Sequence, residues 1–170
     1  MRRPSNSATA DAKTVEAAAV RLLAGREHST EELRRKLTHK GYPPETIEPV
    51  IQKLAGKRLV SDERFTANFI HHHAKRGQGP VRIRAALRQQ GVDEAQVEEA
   101  LSRADIDWVQ RAQEVRRRKF GAGAPRSLGE RAKQARFLQY RGFDAEQLRA
   151  AFRDESADGD DAPDIHLEVE

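Results

Sequence analysis

Cysteine is absent from the chain. That excludes a disulfide framework, a thiolate zinc site and a cysteine nucleophile, and it fits a reducing cytoplasm. No apolar run approaches the ~18 residues a membrane-spanning helix needs. Aromatics make up 5% of the 170 residues and the apolar set 37%, too little for the core of a large globular enzyme. Arg2 and Arg3 lead into Pro4, Ser5 and Asn6 rather than an apolar stretch, which argues against a secretory signal. The last 17 residues contain no Lys or Arg and eight acids. Residues 1–153 therefore hold all 31 Lys and Arg against 19 acids, a net of +12. A basic body of this kind points to a polyanionic partner. Residues 1–12 read as a disordered start and 154–170 as an acidic, apolar-poor, disordered tail. The tail reads as a solubilising segment, with a fold-back that competes with DNA as the alternative.

What remains is helical. Val15, Ala18, Ala19, Leu22 and Leu23 form one apolar stripe at helical spacing. Ser29 and Glu32 have capping-box spacing, with Leu33 and Leu37 following on one face. Pro44 suits the first turn of a helix whose apolar face is Ile47, Val50, Ile51 and Leu54. No convincing alternating strand pattern occurs.

The pattern repeats. Gly41, Gly91 and Gly142 lie 50 and 51 residues apart, each four residues after a leucine: Leu37, Leu87 and Leu138. Tyr42, Val92 and Phe143 follow directly; Ile47, Val97 and Leu148 lie six residues on, and Ile51, Leu101 and Phe152 ten. Glycine just past a helix end takes the left-handed conformation at little cost, so these glycines are read as structural helix stops. Asp93 with Gln96, and Asp144 with Gln147, supply the next capping boxes. With a preceding helix in each repeat, at about 14–24, 62–74 and 106–119, the chain reads as nine helices in three three-helix repeats. The boundaries are 13–56, 57–103 and 104–153, the last with a Gly-rich loop at 121–129. Units this small gain stability by stacking, so an all-α, elongated, curved, solenoid-like body is expected. The third repeat departs from the pattern. Glu130 stands where Ser29 and Gly79 stand, and Gln134 where Leu33 and Ile83 stand. Its second helix is expected to bury Ala135, Phe137 and Leu138 instead.

The motifs along the repeats resemble those of the regulatory protein RecX family. The carriers are Ser29-Thr30-Glu31-Glu32-Leu33 with Lys36-Leu37 and Gly41; Leu59-Val60-Ser61-Asp62 with Phe65; Gly77-Gln78-Gly79-Pro80 with Ile83, Leu87 and Gly91; and Phe137-Leu138 with Arg141-Gly142-Phe143. Together they cover about residues 14–153; Thr66 departs, where a small apolar residue is expected. The resemblance implies three tandem three-helix repeats and a modulator of the RecA recombinase. Such a protein binds in the groove of the RecA–DNA filament and suppresses ATP hydrolysis, strand exchange and co-protease activity. It also implies a cytoplasmic monomer in homologous recombination, DNA repair and the SOS response, with no catalytic residues and no cofactor. The partners implied are the RecA filament and, weakly and without sequence preference, single- and double-stranded DNA. A plain non-specific DNA-binding helical protein is the alternative.

The candidate contacts are basic. Arg34 and Arg84 share a repeat position, as do Lys40 and Arg141, so they are read as parts of a stripe. Arg82, Arg84 and Arg88 form a second group, and Arg84 and Arg88 share a helix face. Arg116, Arg117, Arg118 and Lys119 form the densest cluster. The competing reading of each is a solvated helix end whose cations suit the macrodipole. His71-His72-His73 does not read as a metal site, because consecutive helical residues do not share a face. No phosphate-binding loop is present, and Pro80 removes a backbone donor after Gly77-Gln78-Gly79. No catalytic or metal residue is assigned.

Overall fold

The computed structural model describes residues 11–153; the reading of a disordered start over residues 1–12 lies outside the described residues up to residue 10, with Asp11 and Ala12 capping and opening a helix, and the reading of the acidic tail lies outside them altogether. Among the described residues there are nine helices and no strand. In order they are α1 (Ala12–Gly25), α2 (Thr30–His39), α3 (Pro44–Gly56), α4 (Asp62–Lys75), α5 (Pro80–Gln89), α6 (Glu94–Arg103), α7 (Trp108–Phe120), α8 (Leu128–Arg141) and α9 (Ala145–Arg153).

Local chemistry sets the helix starts. Ser29 Oγ accepts from the Glu32 N–H at 3.0 Å at the head of α2, and Asp107 Oδ1 accepts from Gln110 N–H at 2.9 Å before α7. Asp144 and Gln147 close a reciprocal box at α9: each side chain accepts from the other's N–H, at 2.8 and 3.0 Å. Each such cap is worth about 1 kcal/mol.

The helix ends follow one rule. At Gly41 (φ +87°), the N–H of Gly41 donates to Thr38 O at 2.9 Å, and that of Tyr42 to Leu37 O at 3.3 Å. The same two bonds close the helices ending before Gly91 (φ +76°) and Gly142 (φ +90°). They also occur at two places the repeat alignment does not reveal. Gly77 (φ +78°) closes α4. Arg58 (φ +56°) closes α3 with its own left-handed backbone, although it carries a side chain.

The chain divides into two compact units. Among the described residues, one holds those up to His72 together with Arg84–Ala104; the other holds His73–Ile83 and those from Asp105 to Arg153. The division passes through α4 and α5. In the first unit Val15, Ala19, Leu33, Leu37, Ile47, Val50, Ile51, Leu54 and Val60 form a core, with Leu22, Leu23 and Tyr42 packed on it. Leu33, Leu37, Ile47 and Leu54 are fully buried, so truncating any one to alanine should cost about 2–5 kcal/mol. In the second unit Ala112, Val115, Leu138, Phe143, Ala151 and Phe152 form the core, flanked by Trp108, Ala135, Phe137 and Leu148.

The third repeat differs from its sequence reading. Gln134 keeps the inward position and is only 7% exposed, whereas Ala135 and Phe137 are half-buried. The helix α8 begins inside the stretch drawn as the Gly-rich loop, at Leu128 rather than after residue 129, because Ser127 Oγ accepts from Glu130 N–H at 3.2 Å. The Glu130 carboxylate in turn accepts from Arg126 N–H at 2.8 Å.

Candidate partner-binding surface

The expected cations separate into three kinds. The first are tied up inside the fold. Arg34 on α2 holds the Glu48 carboxylate of α3 through two nitrogens, one at 3.0 Å, and also pairs with Glu31. Arg84 on α5 holds Glu98 of α6 in the same way, with one contact at 2.9 Å. Both glutamates lie fourteen residues after their arginine. The shared repeat position is therefore a clamp between the second and third helices of a repeat. These hydrogen bonds hold Glu48 and Glu98 below the ordinary carboxylate range, and the carboxylates of Glu48 and Glu31 push Arg34 upward. The third repeat has lost the clamp: Ala135 and Arg149 occupy those two positions. Arg88 pairs with Glu94.

The second kind is Arg116, which corrects the reading of the Arg116–Lys119 run. Arg116 is fully buried in the second unit. Its guanidinium donates to Gln134 Oε1 at 3.2 Å and to the Gly123 carbonyl at 3.4 Å, and it lies 5.5 Å from the centre of the Phe152 ring. Desolvation, with the neighbouring Arg117 charge, lowers its pKa. This explains Gln134: the third repeat places a polar side chain inward because an arginine is there to meet it. Arg116 is thus a core residue and not a surface contact.

The third kind faces solvent. Arg117, Arg118 and Lys119 are exposed on the last turn of α7, and Lys40 and Arg82 are exposed as well. Lys40, with Arg35, Lys36 and His39, lines an open cleft of about 660 Å³ in the first unit. Arg141 is half-buried; it donates to Arg76 O at 3.3 Å and covers the Phe137 ring at 5.2 Å.

The charge is unevenly shared between the units. Among the described residues the second unit carries 15 Lys and Arg against six acids, +9, and the first carries 14 against 13, +1. In the first unit Arg26, Arg34, Lys36, Lys53, Lys57, Arg64, Arg84, Arg88 and Arg103 are ion-paired. In the second, Arg111 pairs with Glu114, while Arg117, Arg118, Lys119, Lys133, Arg136 and Arg149 are exposed. Lys133, Arg136 and Arg149 escaped the sequence reading because they are scattered singly. The i, i+3 spacing of the first two was the available signal.

The histidines do not converge on an ion. His73 Nδ1 contacts Gln78 Oε1 at 2.9 Å, and among the described residues no group of three His, Cys, Asp or Glu is placed to hold a metal. No helix among them is long and apolar enough to cross a membrane.

Fold and surface together define a protein built from three-helix repeats that presents a cationic face. The family models described as the first, second and third three-helix domains of RecX match residues 17–54, 61–101 and 105–152. The chain is 46% identical over 156 residues to the regulatory protein RecX of Halorhodospira halophila, covering 92% of this chain and 96% of that one. It is 43% identical over 130 residues to that of Pseudomonas entomophila, covering 76% and 84%. The crystal structure of RecX from Lactobacillus salivarius superposes with a TM-score of 0.75 at 19% identity, over 86% of this chain and 97% of that one. The chain belongs to the RecX family.

Proposed function

We propose that this protein regulates the RecA recombinase, acting as an inhibitor that binds in the groove of the RecA–DNA filament and suppresses ATP hydrolysis and strand exchange. Membership of the RecX family carries the reading. The exposed cations of the second unit, Arg117, Arg118 and Lys119 foremost, supply a surface suited to phosphates or to acidic subunit faces. The protein works without a cofactor, as a cytoplasmic monomer. Arg34, Arg84 and Arg88 hold the fold, and Arg116 holds the core; none is assigned a contact with the filament.

A titration against RecA ATP hydrolysis on single-stranded DNA tests the reading. Inhibition at well below one molecule per recombinase subunit, with most of the DNA still free of this protein, is the expected result. A second reading, plain non-specific DNA binding, is favoured by the +12 charge of residues 1–153. Under that reading inhibition appears only when the DNA is coated. Absence of inhibition even then removes the filament reading.

A further inference from the structure

Tyr140 is the most exposed large apolar side chain described, at 77%, and it stands in the unit whose described residues carry a net +9. An aromatic ring left in solvent is unusual for a chain with so few aromatics. Its surroundings are specific. The Arg82 guanidinium lies 5.3 Å from the ring centre, and one of its nitrogens donates to the Tyr140 carbonyl at 3.2 Å. Lys133 and Arg136 precede Tyr140 by seven and four residues on α8, so all three share one face of that helix. All three are exposed.

The arrangement is preorganised. The first turn of α5 is docked end-on against the last turn of α8. Gly79 N–H donates to Arg141 O at 2.9 Å, and Val81 N–H donates to Gly142 O at 3.1 Å. A Cβ at Gly79 would collide with the Gly142 carbonyl, and one at Gly142 would lie 2.6 Å from the Arg82 backbone nitrogen. Two glycines thus permit a backbone approach that no side chain would allow, and that approach fixes Arg82 beside Tyr140.

We infer that Tyr140 and Arg82, with Lys133 and Arg136 along α8, form a binding site for single-stranded nucleic acid, in which an unpaired base stacks on the Tyr140 ring and the cations follow the phosphates. A flat aromatic ring flanked by cations is how sequence-tolerant single-strand sites are built. Duplex DNA offers phosphates but no free base face, so the ring discriminates between the two. A protein hot spot would also use Tyr and Arg, but would surround them with apolar contacts; here the exposed residues four and seven before Tyr140 on α8 are cations, and Phe137, three before it, is half-buried. The inference deepens the proposed function, because it places bare single-stranded DNA on a stated surface of the same protein.

The test is fluorescence anisotropy of the full chain with a labelled oligothymidylate and, separately, a labelled duplex, over a range of salt. Tyr140→Ala should weaken single-strand binding about tenfold, the loss of one stacked base. It should leave duplex binding unchanged, and Tyr140→Phe should bind as the wild type does. The double variant Lys133→Ala, Arg136→Ala should weaken both and reduce the single-strand salt slope by about 1.4, two phosphate contacts. These side chains are exposed, so far-UV circular dichroism should be unchanged in every variant. Equal loss on both DNA forms, or no loss with Tyr140→Ala, overturns the site. Should Tyr140→Ala abolish RecA inhibition while single-strand binding stays intact, the site is a protein contact. The inference then fails and the proposed function stands.

Discussion

Replacing Arg116 by methionine removes the one cation that the second unit buries completely. Its guanidinium donates to Gln134 Oε1 and to Gly123 O, and hydrogen bonds to a charged group are worth about 1.5–3 kcal/mol each. With the donor gone, the amide of Gln134 stays buried at 7% exposure. Arg116→Met should therefore cost about 2–4 kcal/mol. Gln134→Leu should cost a similar amount, because it removes an acceptor from a buried charge. The double variant makes both positions apolar at similar volume and should be nearly neutral, so the two effects couple by about 4 kcal/mol or more. The chain has a single tryptophan, Trp108 on α7, which packs on this core. Urea unfolding followed by its fluorescence reads the second unit directly. Additive single effects, or a cost of Arg116→Met below about 1 kcal/mol, would refute the reasoning. Any loss of RecA inhibition in Arg116→Met would then report a damaged core, whereas the same loss in an Arg118 variant would report a lost contact.

Other outcomes follow from single contacts. Thr66 is fully buried and its hydroxyl has no partner among the described residues, so Thr66→Val should stabilise by about 1 kcal/mol; a thermal melt that moves downward contradicts this. Gly41→Ala meets open space and should cost only its left-handed strain, about 1–2 kcal/mol. Gly142→Ala has the same φ problem and also strikes Arg82, so its melting point should fall distinctly further. Glu48 and Glu98 have lowered pKa values in the fold through Arg34 and Arg84. Their stabilising contribution is therefore present above the ordinary carboxylate value of 4.5 and is lost as pH falls through the lower folded value. The pairs are partly exposed, so each is worth at most about 1 kcal/mol. Glu48→Gln and Glu98→Gln should lower stability at pH 7 slightly and flatten its decline on acidification. An unchanged acid melt in both would remove the clamp.

The repeat was legible because its signals are local. A glycine that must turn left-handed, a leucine four residues before it and a cap three residues before a Gln are fixed by short-range geometry. Gly41, Gly91 and Gly142 accordingly mark three of the helix ends. Arg58 was not legible, since nothing in its side chain asks for φ of +56°. Ser127 was missed for another reason. It stands three residues before Glu130, which is capping-box spacing, but alignment on the glycines drew attention to Glu130 itself.

The surface was harder, because a sequence counts charges without saying which are spent. Arg34 and Arg84 recur at one repeat position, and so do Glu48 and Glu98, each seven residues past its glycine. Reading both rows together would have revealed the clamp. The Arg116–Gln134 pair spans eighteen residues and a loop, and no periodicity joins those two positions. Four consecutive cations must point around most of a helix, but which of them turns inward is set by Gln134 on α8 and Gly123 in the loop.

The measurement that tests the central claim most directly is inhibition of RecA ATP hydrolysis on single-stranded DNA by two variants alongside the unsubstituted chain. One variant is Arg117→Glu, Arg118→Glu, Lys119→Glu; the other is Arg34→Gln. The account predicts substoichiometric inhibition by the unsubstituted chain, near-complete loss in the charge-reversed variant with its helix content intact, and little change in Arg34→Gln. Full inhibition by the charge-reversed variant, or loss confined to Arg34→Gln, would contradict it.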